Sequence, residues 1–471
     1  MNRSGLPRHL LPTFFALAML MLAATLQSPT ADAQSRVSEF KLDNGMQIIV
    51  VPDTRAPVVT HMVWYRVGAA DEAPGVSGIA HFLEHLMFKS TDKIPMGEFS
   101  KIVARLGGQD NAFTSQDATA YFQRISKDRL KDVMAMEADR MVNLRLTEKE
   151  VLTERDVIEE ERRSRIENRP ESKLAEQMDA VLYKSHPYGT PVIGWMHEIS
   201  SLTQKDALSF YKRFYAPNNA ILVVTGDVVT DEVYELAKET FGGIPGNPAV
   251  PSERFRPAEP PHIAPRRVTL TDPRAGKESL TRYYLAPSYG TAEGSDAEAL
   301  EVLMKIMASG TTSRMYRSLV VDKKLASSAG GWYSGSSRDS GKISVYAIAA
   351  DGQDMETIES EIDAVIAEVK ANGVTQAELD RAKKSLRAEY VYQSDSQASL
   401  ARRYGWAVTI GQTVADVDAW PDDIAKVTAE EVQAAAKKYL DMNSSVTGLL
   451  LPAPAAKRAD KQPAQAVPPR G

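Results

Sequence analysis

The strongest constraint on the fold is that the second half of the sequence repeats the plan of the first. Residues 211–224 read Y-K-R-F-Y-A-P-N-N-A-I-L-V-V, and residues 436–450 read A-K-K-Y-L-D-M-N-S-S-V-T-G-L-L. Each segment predicts the end of a helix followed by a buried strand. A duplicated unit of helices and strands is the simplest account of this repeat. We therefore predict an α+β fold of two tandem homologous domains, each a sheet with helices packed on one face.

The predicted boundaries follow changes in composition. A Pro- and Gly-rich stretch, residues 246–265, indicates a linker between an N-terminal domain at 34–245 and a C-terminal domain at 266–452. Residues 453–471 are rich in Pro, Ala, Lys and Gln and predict a disordered tail.

Residues 1–33 have the features of a secretory signal peptide. Arg3 and Arg8 precede a mostly apolar run, and A-D-A at 31–33 is an A-x-A cleavage signature. The alternative is a retained membrane anchor, which Pro12 and the shortness of the apolar run disfavour. We therefore expect export of the mature protein to a bacterial periplasm.

The composition narrows the classes of function. The sequence has no cysteine, so disulfides and thiolate zinc sites are excluded, and any metal must be held by His and carboxylate side chains. A net charge of −6 on a chain with 25% charged residues gives no basic footprint for nucleic acid. No nucleic-acid partner is expected.

The segment from Ser77 to Ser90, S-G-I-A-H-F-L-E-H-L-M-F-K-S, predicts a buried helix with Ser77 as its candidate N-cap. His81 and His85 lie about 40° apart around such a helix, so both imidazoles leave one face and can hold a divalent metal. Glu84, on the adjoining face, can reach a water bound to that metal; the order H-x-x-E-H is a catalytic motif. The alternative is a pair of structural histidines, because a catalytic zinc needs a third protein ligand.

A strongly charged predicted helix, residues 147–168, offers that ligand. Glu154 and Glu161 are seven residues apart, so they share one face and lie about 10.5 Å apart along the axis. Val151 and Ile158 flank this face and can turn it inward. A solvated charged face is the alternative, but a carboxylate pair on an inward face needs a reason, and a metal is one.

Together these motifs resemble the pitrilysin/insulinase family of zinc peptidases, the inverzincins, and in particular its mitochondrial processing peptidase branch with small bacterial homologues. The resemblance covers nearly all of the chain after the signal peptide. It is carried by the ribbon G-G-Q-D-N-A-F-T at 107–114, by His81-x-x-Glu84-His85, by Glu161, which follows His85 by 161 − 85 = 76 residues, and by Glu154.

The resemblance implies a role for each matching residue. One zinc ion per chain is held by His81, His85 and Glu161, with Glu84 as the base that activates the zinc-bound water and Glu154 as an acid that steadies the site. The implied substrate-binding residues are Phe88, an apolar wall beside the scissile bond, Asn111 and Ala112, on an edge strand that takes substrate backbone by β-augmentation, and Arg338 and Tyr346, which match residues that some members supply from the distal half.

The implied activity is that of an exported zinc metalloendopeptidase acting on peptides or unfolded polypeptide segments. The family's active chamber needs four α+β units, so this chain would form half of a clamshell chamber and pair as a homodimer or with a related subunit lacking the zinc motif. No His follows His262, so the second half has no equivalent site. The alternatives are a non-catalytic structural subunit of a related peptidase or membrane complex, and a metal-delivery protein, in which Glu84 has no purpose.

Overall fold

Two large β-sheets, one in each half of the sequence, organise the residues that the computed structural model describes, 37–453. The strands are β1 (Ser38–Lys41), β2 (Gln47–Pro52), β3 (Val58–Tyr65), β4 (Ser90–Thr91), β5 (Gln109–Thr114), β6 (Thr119–Ser126), β7 (Leu144–Arg145), β8 (Ala220–Gly226), β9 (Arg266–Asp272), β10 (Ser279–Ala286), β11 (Ala326–Ser334), β12 (Gly341–Ala349) and β13 (Ser445–Pro452). The α-helices are α1 (Ile79–Leu86), α2 (Glu98–Arg105), α3 (Leu130–Val142), α4 (Glu148–Arg162), α5 (Pro170–Leu182), α6 (Met196–Ile199), α7 (Gln204–Phe214), α8 (Thr230–Phe241), α9 (Asp296–Met307), α10 (Arg314–Tyr316), α11 (Met355–Asn372), α12 (Gln376–Ser394), α13 (Gln397–Ile410), α14 (Val414–Lys426) and α15 (Ala429–Tyr439).

The two sheets share one topology. The first has the strand order β1-β2-β8-β3-β6-β5 and the second has the order β11-β12-β10-β13-β9. Strands β2 and β8 are parallel, as are β9 and β13, and all other neighbours in both sheets are antiparallel. Strands β2, β8, β3, β6 and β5 thus correspond to β9, β13, β10, β12 and β11. The predicted α+β fold of two tandem units with one plan is confirmed.

Helices from the same half cover one face of each sheet. In the first half, Leu83 of α1 belongs to the hydrophobic cluster that contains Val63 of β3. In the second half, Leu300 of α9 belongs to an equivalent cluster with Val345 of β12. The apolar residues of each strand that face these helices form the main cores.

The other face of each sheet receives a helix from the opposite half. Met178 of α5 packs with Val446 of β13 in the second sheet. Tyr404 of α13 packs with Trp64 of β3 in the first sheet. The sequence patterns predict neither of these two packings. The apolar stripe of each helix packs on a sheet from the other half of the sequence, and local periodicity does not identify such a distant partner.

Several predicted segments lie at the borders of the described residues. The predicted signal peptide, 1–33, and the tail beyond Ala453 lie outside them. Within 37–453, no helix combines the length and apolar character needed to cross a membrane. The predicted linker, 246–265, contains neither helix nor strand. The domain limits themselves stay predictions.

Gly405 in α13 lies where the second half packs closely against the first sheet. A Cβ atom added to Gly405 would lie 2.1 Å from Nε1 of Trp64, whose side chain is fully buried. Alanine favours a helix over glycine by about 1 kcal/mol, but overpacking costs about 1–3 kcal/mol. We therefore expect Gly405→Ala to lower the free energy of unfolding, measured by urea denaturation. In the double variant with Trp64→Phe, the combined loss should be smaller than the sum of the single losses. A Gly405→Ala protein as stable as the wild type would contradict this close packing.

Candidate metal centre

Helix α1 carries two of the predicted ligands and is shorter than predicted. It spans Ile79–Leu86, whereas the pattern predicts a helix from Ser77 to Ser90. The prediction that Ser77 is the N-cap is wrong: Gly78 takes the cap position with φ of 86°, a left-handed conformation, and no side chain of its own caps the helix. The Ser77 hydroxyl instead accepts the N–H of Trp195 at 2.9 Å.

Helix α4 carries the two predicted carboxylates on an inward face. Val151 and Ile158 are buried and turn that face toward the core. The side chains of Glu154 and Glu161 keep 12% and 18% of their exposure, against 71% for Glu160 on the same helix. Glu159 is as little exposed as Glu161, at 18%, but its carboxylate pairs with Arg163 on the same helix.

The side chains of His81, His85 and Glu161, here called the trio, converge between α1 and α4. The Nε2 atoms of His81 and His85 lie 3.7 and 3.5 Å from Oε2 of Glu161, and one ligand atom from each residue lies within 4.8 Å of the others. This oxygen of Glu161 is buried and accepts no hydrogen bond from any residue that the structure describes. Burying a carboxylate oxygen costs free energy unless a cation or a hydrogen-bond donor contacts it. Two imidazoles and one carboxylate are a ligand set of catalytic zinc sites, so the trio fits this metal.

Other side chains hold two members of the trio in orientation. Nδ1 of His85 lies 2.9 Å from Oε1 of Glu154, and Lys89 donates to the other oxygen of Glu154. Arg165 pairs with Oε1 of Glu161 at 2.8 Å. A carboxylate on one ring nitrogen of a histidine fixes the tautomer and leaves the other nitrogen for a metal. This arrangement suits the steadying role predicted for Glu154.

The two histidines differ in how they hold protons. Burial, with the charges of His85 and Arg165, lowers the pKa of His81 to about 3, so this imidazole is neutral at pH 7. Burial also lowers the pKa of His85, but the hydrogen bond with Glu154 and the charge of Glu161 outweigh it, and the pKa lies above its ordinary value. Only the neutral imidazole binds metal, so at His85 a metal competes with a proton.

Glu84 lies beside the trio and outside it. Its carboxylate accepts a hydrogen bond from Oγ1 of Thr114 at 2.5 Å. Burial raises the pKa of Glu84, and the bond from Thr114 opposes this rise. A carboxylate with a raised pKa is a stronger base, which suits general base catalysis. Sequence reasoning gave Thr114 no role, although the ribbon motif at 107–114 ends on it.

The predicted substrate strand lies at an edge of the first sheet. Asn111 and Ala112 belong to β5, which pairs on one side with β6 and has no strand neighbour on its other side among the described residues. The N–H of Ala112 donates to Oδ1 of Asn111 at 2.8 Å. Helix α1 contacts β5, and Thr114 links this strand to Glu84. The free edge is therefore next to the trio.

The remaining predicted substrate residues lie at three separate places. Phe88 follows α1 and is half-buried against the first core. Tyr346 is on β12, and its hydroxyl lies 3.5 Å from Oγ of Ser328. Arg338 lies between β11 and β12, where its N–H donates to Asp117 at 3.1 Å. These contacts do not involve the trio, and the roles of all three residues stay predictions.

Comparison with known proteins supports a peptidase. A family model described as insulinase (peptidase family M16) matches residues 47–195, and one described as peptidase M16 inactive domain matches residues 201–386. The chain is 36% identical to zinc protease PqqE of Helicobacter pylori, over 76% of this chain and 80% of that protein. The crystal structure of a protease from Helicobacter pylori matches with a TM-score of 0.83 at 32% identity, covering 88% of this chain and 99% of that chain. The periplasmic protease PqqL of Escherichia coli matches with a TM-score of 0.74 at 20% identity, covering 89% of this chain and 48% of that chain.

We predict that Glu161→Gln weakens zinc binding more than about 100-fold, because even partners outside the ligand shell change metal affinity by about 10- to 100-fold. Glu160→Gln is the matched control: this residue lies on the same helix, but its side chain is exposed. Competition with a chromogenic chelator measures the affinity of each variant. Full zinc affinity in Glu161→Gln would show that the distal ligand is a different carboxylate.

Proposed function

This chain belongs to the insulinase family, peptidase family M16, and we propose that it is an exported zinc metalloendopeptidase that hydrolyses peptides or unfolded polypeptide segments. Membership confirms the family resemblance, and relatives called zinc proteases make the chain a peptidase of this family. The observation that carries the proposal is the position of Glu84, a carboxylate beside the metal-binding trio but not in it.

The trio and Glu84 have separate roles in the proposed reaction. His81, His85 and Glu161 would hold one zinc ion, which when bound supplies the Lewis acidity that makes water nucleophilic near neutral pH. Glu84 takes the proton that water loses as it attacks the peptide carbonyl, and then delivers that proton to the leaving amine. The Thr114 hydroxyl fixes the Glu84 carboxylate, because it donates to one of its two oxygens. Glu154 keeps the ring of His85 in one orientation.

The edge strand β5 supports the choice of substrate class. Main-chain pairing at a free edge binds extended backbone with little dependence on side chains, and it excludes folded chains. The N–H of Ala112 donates to the side chain of Asn111. A peptide that pairs with β5 would replace this local hydrogen bond, so this N–H would have a partner both with and without substrate. Phe88 is the proposed apolar wall beside the scissile bond.

Export rests on the sequence of residues 1–33, which has the charge, apolar run and cleavage signature of a signal peptide. The similarity in fold to PqqL, which is described as periplasmic, is compatible with that destination. We propose a periplasmic location for the mature protein.

Pairing with a second chain is proposed because one chain holds a single metal site and two α+β units. PqqL is about twice as long, since this chain covers 48% of it. A homodimer, or a heterodimer with a related subunit lacking the zinc motif, would supply the other half of a chamber. Arg338 and Tyr346 are proposed to act at the partner's site.

We predict that Glu84→Gln keeps its zinc and loses peptide hydrolysis by about 100- to 10,000-fold, the contribution of a general base. Glutamine keeps the shape and the acceptor for Thr114 but takes up no proton. Zinc content and the rate of hydrolysis of casein and of an unstructured peptide are measured on the same preparation. Activity near that of the wild type would remove Glu84 from this role. A wild-type protein that is inactive with full zinc would favour the non-catalytic structural subunit.

We also predict that the active species is at least a dimer. Light scattering of pure, active protein should give a mass of at least twice that of the mature chain, or activity should appear only after a related subunit is added. Full activity in a fraction that is monomeric under the assay conditions would end this hypothesis, because it would mean that the two halves of one chain suffice.

A further inference from the structure

The N-terminus of α1 lacks a cap from its own cap residue. Gly78, at that position, has no side chain, and the first N–H groups of any helix have no partner within the helix. Helix α1 has only eight residues, so tertiary contacts must supply what its short backbone ladder does not. The same helix carries His81 and His85.

One remote carboxylate takes over the capping, and a second holds the residue before the cap. The two oxygens of Glu72 accept the N–H of Gly78 at 2.8 Å and the N–H of Ala80 at 2.9 Å. Glu198 accepts the N–H of Ser77 at 2.6 Å. The helix dipole favours negative charge at this end of a helix. Burial strongly raises the pKa of Glu72, and the bonds from Ala80 and Gly78 oppose this rise. Each oxygen of Glu72 is thus matched to one backbone donor, and the three bonds together fix both the position and the direction of α1.

The anchors also reach α4, which carries the third predicted ligand. The carbonyl of Gly194, four residues before Glu198, accepts a hydrogen bond from Arg162 at 2.7 Å, and Arg162 directly follows Glu161. A Cβ atom on Gly194 would lie 2.4 Å from the carbonyl oxygen of Ser77. The segment 194–198 therefore contacts the start of α1 and the end of α4 together, and it sets their spacing.

The loop that bears Glu72 is itself held in place. The neighbouring Asp71 accepts the N–H of Gly68 at 2.9 Å. Arg256 donates to Asp71 at 3.0 Å, and Arg254 also pairs with it. A carboxylate on a tethered loop can define a position, whereas one on a freely moving loop cannot.

We propose that Glu72 and Glu198 are positioning residues that hold the two ligand helices at the spacing that metal binding requires. The inference rests on the proposed function, in which the trio binds zinc. The hydrogen bonds of Glu72 and Glu198 go to backbone N–H groups and not to the trio. Both accept backbone N–H groups at the start of α1. Glu198 also belongs to the segment 194–198, in which the Gly194 carbonyl accepts a hydrogen bond from Arg162.

The test compares the zinc affinity of Glu72→Gln, Glu198→Gln and the double variant with that of the wild type, by chelator competition. An amide in place of Glu72 keeps one acceptor and turns a donor toward the second N–H. We expect zinc binding to weaken about tenfold in each single variant and further in the double variant. If Glu72→Gln does not fold, Glu198→Gln, which gives up a single bond, carries the same expectation.

Asp354→Asn is the matched control, because Asp354 caps the distant helix α11 by accepting the N–H of Thr357 at 2.9 Å. Asparagine also caps helices, so this exchange of a carboxylate for an amide should leave both the melting temperature and the zinc affinity nearly unchanged. Zinc affinity within twofold of the wild type in Glu72→Gln and Glu198→Gln would overturn the proposal and leave both as contacts that only stabilise the fold.

Hydrogen exchange of the metal-free protein separates this inference from the proposed function. Amides at the start of α1 should exchange faster in Glu72→Gln than in the wild type, whether or not zinc binds. A wild type that binds no zinc would refute the proposed function only. Unchanged exchange at the Gly78 and Ala80 amides in Glu72→Gln would refute the positioning role directly.

Discussion

A buried carboxylate oxygen without a donor is the constraint on which the first half of the structure depends. Oε2 of Glu161 faces the Nε2 atoms of two histidines and accepts no hydrogen bond from the described residues. Its other oxygen already has Arg165, so the remaining charge points inward. Burying such a group is unfavourable unless a cation completes it. The surrounding structure keeps the site in place: Val151 and Ile158 turn the face inward.

The same logic explains which parts of the site were predictable. His81 and His85 lie about one turn apart on a helix with Glu84 between them, and Glu154 lies seven residues from Glu161, so helical periodicity alone places each set. These relations are local, and the structure keeps them. The prediction for Ser77 failed because Gly78 takes the cap position in a left-handed conformation, and the distant carboxylate of Glu72 accepts the N–H groups at this end of the helix.

Long-range relations were beyond the sequence patterns for a physical reason. The topology of the second sheet follows from the repeat, because its helices and strands recur in the same order along the chain as those of the first half. Helices α5 and α13 pack on the sheet of the other half. An apolar stripe such as Leu174-Met178-Leu182 indicates that some surface covers it, but it does not indicate which surface. Gly405 is a sequence signal of such contact, because a glycine inside a helix often has a packing reason. Its partner, Trp64, lies in the other half.

The segment predicted as a linker does more than separate the two halves. Arg256 donates to Asp117 at 2.5 Å and to Asp339 at 2.9 Å, so one guanidinium joins the first half to the second. Burial lowers the pKa of Arg256, but Asp71 and Asp117 outweigh it, and the pKa lies above its ordinary value. Asp117 occupies the turn between β5 and β6. The linker therefore restrains the free edge strand as well as the arrangement of the halves.

The two halves show that topology and chemistry place separate demands on a sequence. Helix α9 stands in the second half where α1 stands in the first, and its inward face is filled by apolar residues such as Leu303 and Met307. Such residues satisfy the fold through packing alone. The first half instead buries histidines and carboxylates in the corresponding layer, and each then needs a specific partner. This requirement accounts for the network around α1: Glu154 for His85, Thr114 for Glu84, and distant carboxylates for the backbone. A duplicated fold can lose that network and keep its strand order, whereas a metal site cannot lose it and keep its geometry.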